Sequence, residues 1–214
     1  MKRLLLILPL LPFPSLANDA LVKSIERFTD IFSISFSKVE ETTVATLDAN
    51  YKITDNFRIF GDVDTLINWE AGAGYSFWQG EDYYTENTLK FSEYKVAMGI
   101  FAAKLLYDNW TLIGDVNYNH NFDQEPCLAA LCWQSSLSDS IKYSAGVLWS
   151  PIKHADILIK YNQEVGIKQN TYSFNRDEIP NLSDRTNEKY YEIITLINMK
   201  YLKPTVTYTR FPEA

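Results

Sequence analysis

The sequence predicts an all-β protein: an antiparallel up-and-down transmembrane β-barrel, most economically of eight strands, with ten allowed. Apolar and polar residues alternate with a period of two through most of the chain, as strands with one apolar and one polar face do. Short turns alternate with longer polar loops along the chain, the layout of a barrel with tight periplasmic turns on one rim and extracellular loops on the other. A turn-strand unit also occurs twice. Asp55-Asn56-Phe57-Arg58-Ile59-Phe60-Gly61-Asp62-Val63-Asp64 returns as Asp108-Asn109-Trp110-Thr111-Leu112-Ile113-Gly114-Asp115-Val116-Asn117. The same turn in the same phase places both copies on one side of a sheet. An even number of strands then separates them, and the spacing fits one tall hairpin.

The N-terminus carries Met1-Lys2-Arg3, an apolar run from Leu4 to Leu11, and Ser15-Leu16-Ala17. This reads as a secretory signal peptide over residues 1–17, too short for the roughly 20 apolar residues of a spanning helix. A periplasmic segment is expected over 18–27 and a single barrel domain over 28–211. Loss of Lys2 and Arg3 takes the net charge from −7 to −9, which disfavours nucleic acid as a partner. Cys127 and Cys132 are the only cysteines, and in an oxidising compartment they are expected to form a disulfide that staples a loop. A metal site would need more ligands, and His120 and His154 are not at ligand spacing from the pair or each other.

The strands follow in order. Phe28, Phe32, Ile34 and Phe36 oppose Ser33, Ser35 and Ser37. Ala45, Leu47, Ala49, Tyr51 and Ile53 oppose Thr46, Asp48, Asn50 and Lys52. The run from Phe57 through Ile59, Val63, Ile67, Trp69 and Tyr75 to Phe77 holds one phase throughout and reads as one tall strand. Beyond a polar tip at 79–87 the chain returns from Thr88 to Tyr107, where Phe101 and Leu105 fall opposite Val96, Met98 and Ile100. Trp110, Leu112, Val116, Tyr118, His120 and Phe122 share the next face. Ile141 to Trp149, ended by Pro151, and Ile157 to Ile167, launched by a turn near His154, follow. Tyr191 to Tyr201 comes last, with Pro204 marking either a bulge or another short strand.

Alternation alone also suits a soluble sandwich. Two features favour a barrel in a membrane. Aromatic residues flank the short turns, and Tyr51, Phe57, Tyr107, Trp110 and Trp149 read as a girdle at the periplasmic interface. The polar face carries both signs: Asp48, Lys52, Arg58, Asp62, Asp64, Asp115, Lys142, Lys160 and Glu164 are expected to form an internal polar network. Eight strands enclose an interior that side chains just fill, and near-balanced charge lets such an interior pair internally. An open pore is not expected.

The units 51–63 and 107–118 and the terminal Thr205-Val206-Thr207-Tyr208-Thr209-Arg210-Phe211 resemble the small outer-membrane β-barrel superfamily of Gram-negative bacteria, with its OmpA-type and OmpX-type barrels. The family's last strand ends the protein at its aromatic residue, whereas here Pro212-Glu213-Ala214 follow. In length and layout the chain is similar to the accessory colonisation factor A type of vibrios. The resemblance implies residence in the bacterial outer membrane as a monomer, in contact with outer-membrane lipid and lipopolysaccharide. It implies no cofactor, no metal and no catalytic residues. The expected role is cell-surface contact, adhesion or colonisation, through charged and tyrosine-rich loop residues such as Glu81, Asp82, Tyr83, Tyr84, Glu86, Asp177, Glu178, Asp184 and Arg185 touching host or other cell-surface molecules. The alternatives are a narrow, porin-like channel or passage for a hydrophobic solute, and a lipid A-modifying enzyme. An enzyme is the least expected, since neither His120 nor His154 has a serine at a recognisable motif distance.

Overall fold

The computed structural model describes residues 32–39, 42–128, 131–152, 155–174, 180–197 and 203–212. The expected signal peptide, the 18–27 segment, Phe28, His154, Asp177, Glu178, Met199 and Tyr201 lie outside the described residues. Every helix or strand element among the described residues is a strand. In chain order they are β1 (Phe32–Val39), β2 (Thr42–Lys52), β3 (Phe57–Asp64), β4 (Trp69–Gln79), β5 (Tyr83–Ser92), β6 (Lys95–Tyr107), β7 (Trp110–Asn121), β8 (Cys127–Leu128) and β9 (Leu131–Ser136). There follow β10 (Ser140–Ile152), β11 (Ala155–Gly166), β12 (Asn170–Phe174), β13 (Leu182–Asp184), β14 (Asn187–Ile197) and β15 (Lys203–Arg210).

Eleven of these strands form one large curled sheet in the order β1-β15-β14-β11-β10-β7-β6-β5-β4-β3-β2, and β1 pairs with both β2 and β15. It is one sheet curled on itself, not two packed sheets. All its neighbours are antiparallel except β1 and β15, which run parallel. That exception follows from parity, because an up-and-down path with an odd number of strands brings its first and last strands together pointing the same way. Eight strands were expected and eleven are observed. The expected tall strand is two, β3 and β4, its return is two, β5 and β6, and the segment after Pro204 is a strand of its own.

The missed turns have a geometric cause. Residues paired across an antiparallel hairpin share a face. Val63 pairs with Trp69, odd with odd, so the apolar phase passes through the turn unchanged and the turn is silent in the periodicity. Phe91 pairs with Val96, odd with even, so the phase flips between β5 and β6, and the pattern is blurred further because Phe101 is an apolar residue of β6 that faces the interior. Two copies of the Asp-Asn turn are thus separated by four strands, an even number as expected, arranged as two hairpins.

Side-chain hydrogen bonds hold the silent turn. Asp64 Oδ1 accepts from the Leu66 and Asn68 backbone N–H groups at 2.8 and 2.9 Å, and Asn68 Nδ2 donates to Asp64 Oδ2 at 2.8 Å. This is the Asx geometry that lets aspartate replace a backbone partner in a turn. Ile67 sits at φ 69°, a left-handed conformation that costs a β-branched residue on the order of 1–2 kcal/mol. The bonds around it hold it there.

The curled sheet reverses the usual polarity of a folded protein. Leu47, Ile59, Met98, Ile100, Leu112, Val116, Ile159, Ile193 and Val206 are exposed on its outer face. Glu86, Asn119, Asn162, Asp156 and Ser140 are the largest fully buried side chains. Strands that water surrounds on the outside read the other way, with the apolar face inward.

Its two rims also differ. One, the turn rim, carries the junctions β2–β3, β4–β5, β6–β7, β10–β11 and β14–β15, all short. The other, the loop rim, carries β1–β2, the tight β3–β4 and β5–β6 turns, and the two long connections 122–139 and 167–186. The expected long loop at 79–87 is instead a tight turn on the turn rim, with Gly80 N–H bonded to the Tyr83 carbonyl at 2.9 Å. Tyr83, Tyr84 and Glu86 are strand residues of β5.

Candidate functional site

The interior polar network is built by strand alternation. Asp48 and Asn50 of β2, Arg58 and Asp62 of β3, Glu70 of β4, Thr88 and Lys90 of β5 and Lys95 of β6 line a cavity of about 530 Å³. Asp115, Asn117 and Asn119 of β7, Lys142 of β10 and Lys160 of β11 line it from the other side. Six of the nine expected network residues therefore face one space. Glu164 belongs to the same inward face nearer the loop rim, where its carboxylate accepts from Asn119 Nδ2 at 2.9 Å and from the Ser140 hydroxyl. Lys52 and Asp64 lie elsewhere. Lys52 is on the turn rim, 3.5 Å from Asp55, with half its side chain in solvent, and the Asp64 carboxylate serves the β3–β4 turn. Both are last residues of their strands, where the inward face opens to the rim.

The buried charges pair locally. Arg58 grips Glu86 through two parallel bonds, Nε to Oε1 at 2.7 Å and Nη2 to Oε2 at 2.9 Å, and Glu86 is only 2% exposed. Gly74 leaves the space for this carboxylate, since a Cβ there would collide with Glu86 and come within 3.2 Å of Arg58 Nε. The Arg58 guanidinium also lies 4.6 Å over the Phe60 ring, a stacking that suits a planar cation. Lys90 bonds Glu70 at 2.8 Å and Lys160 meets Glu192 at 3.0 Å. Asn162 Nδ2 donates to the same Glu192 at 2.8 Å. Asp115 accepts from Asn117 Nδ2 at 2.6 Å and from the Ser144 hydroxyl.

By strand order, β2 to β4 stand across the ring from β10 and β11. Asp48, Asp62 and Glu70 therefore occupy one wall of the cavity and Lys142 and Lys160 the other. The sequence reading missed Glu70, Glu86, Lys90 and Glu192. Their signal was available in the alternation, because Glu86, Thr88 and Lys90 are out of phase with Leu89 and Phe91. The polar look of 79–87 hid Glu86.

The five expected girdle residues gather at the turn rim: Tyr51 is the next-to-last residue of β2, Phe57 begins β3, Tyr107 ends β6, Trp110 begins β7, and Trp149 is near the end of β10. Trp110 and Trp149 are cross-strand partners with rings stacked at 5.5 Å. A second set of outward aromatic rings lies toward the loop rim, including Trp69, Phe91, Tyr94, Tyr118, Tyr191 and Tyr208. It went unpredicted because the turns at 65–68 and 93–94 that place Trp69, Phe91 and Tyr94 there were not recognised.

Above the loop rim the two long connections meet in a second, four-stranded sheet, β13-β12-β9-β8. Cys127 and Cys132 are joined in a disulfide across the β8–β9 hairpin, with Cα atoms 4.1 Å apart. Trp133 pairs with Phe174 across β9 and β12. Asn170 ties the two connections together: its Oδ1 accepts from Ser138 N–H at 2.9 Å, and its Nδ2 donates to Asp184 Oδ1 at 2.8 Å. Arg185 Nε donates to the Gly166 carbonyl at 2.8 Å. Of the expected contact residues, Asp184 thus belongs to this sheet and Arg185 follows it, while Glu81 and Asp82 lie at the opposite rim.

His120 points outward near the loop rim, with Nδ1 2.8 Å from Asp139 Oδ1. The Tyr118 hydroxyl donates to the other Asp139 oxygen, and that bond holds the Asp139 carboxyl below the usual range, helped by His120. Among the described residues no serine hydroxyl bonds to His120. No family model matches this chain, and no curated protein matches it.

Proposed function

We propose that this protein is a β-barrel of the bacterial outer membrane that displays a disulfide-stapled loop sheet at the cell surface for contact with host or other cell-surface molecules. The observation that carries this reading is the inverted polarity of the curled sheet, apolar outside and charged inside, flanked by aromatic side chains at both rims. In water such an exterior would aggregate; in lipid it is the required surface. The loop sheet supports the contact role, because ordering two long connections against each other pre-pays conformational entropy that a contact surface would otherwise lose on binding. Deleting residues 124–136 is expected to leave the barrel folded and to reduce adhesion of expressing cells. Unchanged adhesion would sink the contact role.

The cavity favours a second reading, a narrow passage for small dipolar solutes. Eleven strands enclose more room than eight, and about 530 Å³ remains, within the range of small-molecule sites. Carboxylates and cations alternate around this lining, Lys90 beside Glu70 on one side and Asp115 near Lys142 and Lys160 on the other, and such a mixed-sign surface suits a zwitterion. Liposome swelling should then be faster in a zwitterionic amino acid than in a neutral sugar of similar size. No swelling in either removes the passage.

A further inference from the structure

The outer face of β14 and β15 carries a second cavity, of about 500 Å³, lined by Tyr191, Ile193, Tyr208, Arg210 and Pro212. Tyr191, Ile193 and Tyr208 are exposed and point away from the interior. Arg210 is the last residue of β15 and sits directly opposite Tyr191, so it closes the groove at the loop rim. It has no ion-pair partner among the described residues. Lys189 is exposed on the same outward face of β14, two residues nearer the rim.

Arg58, Lys90 and Lys160 each meet a carboxylate on the inner face, whereas this guanidinium faces outward with no ion pair among the described residues. A cation at a lipid-facing surface is costly unless it reaches a polar group at the interface. On a chain of net charge −7, attraction for an anion there must come from local cations and not from the whole field. An apolar trough topped by an arginine and a lysine matches one kind of occupant, a molecule with an acyl chain below and a phosphate above. Arginine is suited to that phosphate because its planar fork can bond two oxygens at once.

We infer that this groove binds one phosphorylated lipid of the outer leaflet, its acyl chain lying on Tyr191, Ile193 and Tyr208 and its phosphate on Arg210 with Lys189. The inference rests on the membrane-barrel reading above. A zwitterionic lipid that merely fills the groove, and a second copy of the chain packed on it, are the competing occupants.

The test is native mass spectrometry of the full mature protein in detergent, with bisphosphorylated lipid A, its dephosphorylated form, or phosphatidylcholine added. The wild type is expected to retain one bisphosphorylated lipid A, and Arg210→Gln to retain it about tenfold less well, the loss expected for a charge-assisted bond. Arg210→Lys should fall between. Equal retention by Arg210→Gln, equal retention of phosphatidylcholine by the wild type, or a dimer in place of the lipid adduct would each overturn the groove assignment. Heat-modifiable gel migration is followed in parallel. If it persists in both proteins while lipid preference is absent, the groove fails and the barrel stands. If the wild type itself shows none, the barrel reading fails and takes the groove with it.

Discussion

Arg58→Ala is expected to destabilise the folded protein by about 3–5 kcal/mol, because it leaves Glu86 charged, buried and without its partner. The pair is placed for this. Glu86 is 2% exposed, both of its oxygens are engaged by one guanidinium, and the surrounding space is closed by Gly74 and Phe60. Arg58→Lys should recover only part of the loss, since an ammonium cannot make the two parallel bonds and loses the stacking on Phe60. The double change Arg58→Met with Glu86→Leu should recover most of it, because removing both charges removes the desolvation cost along with the attraction. The measurement is the denaturant midpoint of each variant refolded in lipid vesicles. A loss below about 1 kcal/mol for Arg58→Ala, the value of an exposed pair, would show that Glu86 is not buried as described.

Much of this architecture was legible in the residues, and what was not has identifiable causes. The alternation of Trp110, Leu112, Val116 and Tyr118 with Thr111, Asp115 and Asn117 reports a strand with two unlike faces, and β7 is that strand. The Asp55-Asn56 and Asp108-Asn109 turns share a rim, as their common phase requires. Tyr51, Phe57, Tyr107, Trp110 and Trp149 gather beside that rim for the same reason. Strand count was not legible, because the hairpin at Asp64 to Asn68 pairs odd with odd and leaves no break in the period. The turn's own chemistry, an aspartate four residues before an asparagine, was the only local sign. Glu86 was misread because a polar segment resembles a loop until its alternation is followed inward. The disulfide was legible from cysteine spacing and the expected export of the chain, but the sheet it staples was not. β8, β9, β12 and β13 are short strands from two distant connections, and nothing local encodes their pairing.

The central claim, that the apolar outer face lies in hydrocarbon, is tested most directly by placing one arginine at mid-height and one at the rim. Val116 lies in the middle of β7, points outward at 55% exposure, and is flanked across the sheet by Ile100 and Tyr143. Ile53 is similarly exposed but lies just beyond β2 at the turn rim. The height of the residue, not its exposure, should decide the effect. Equilibrium unfolding in vesicles is predicted to show Val116→Arg less stable by about 2–4 kcal/mol and Ile53→Arg by about 0–1 kcal/mol. Losses within about 0.5 kcal/mol at both positions, as for surface changes in a water-soluble sheet, would contradict the account.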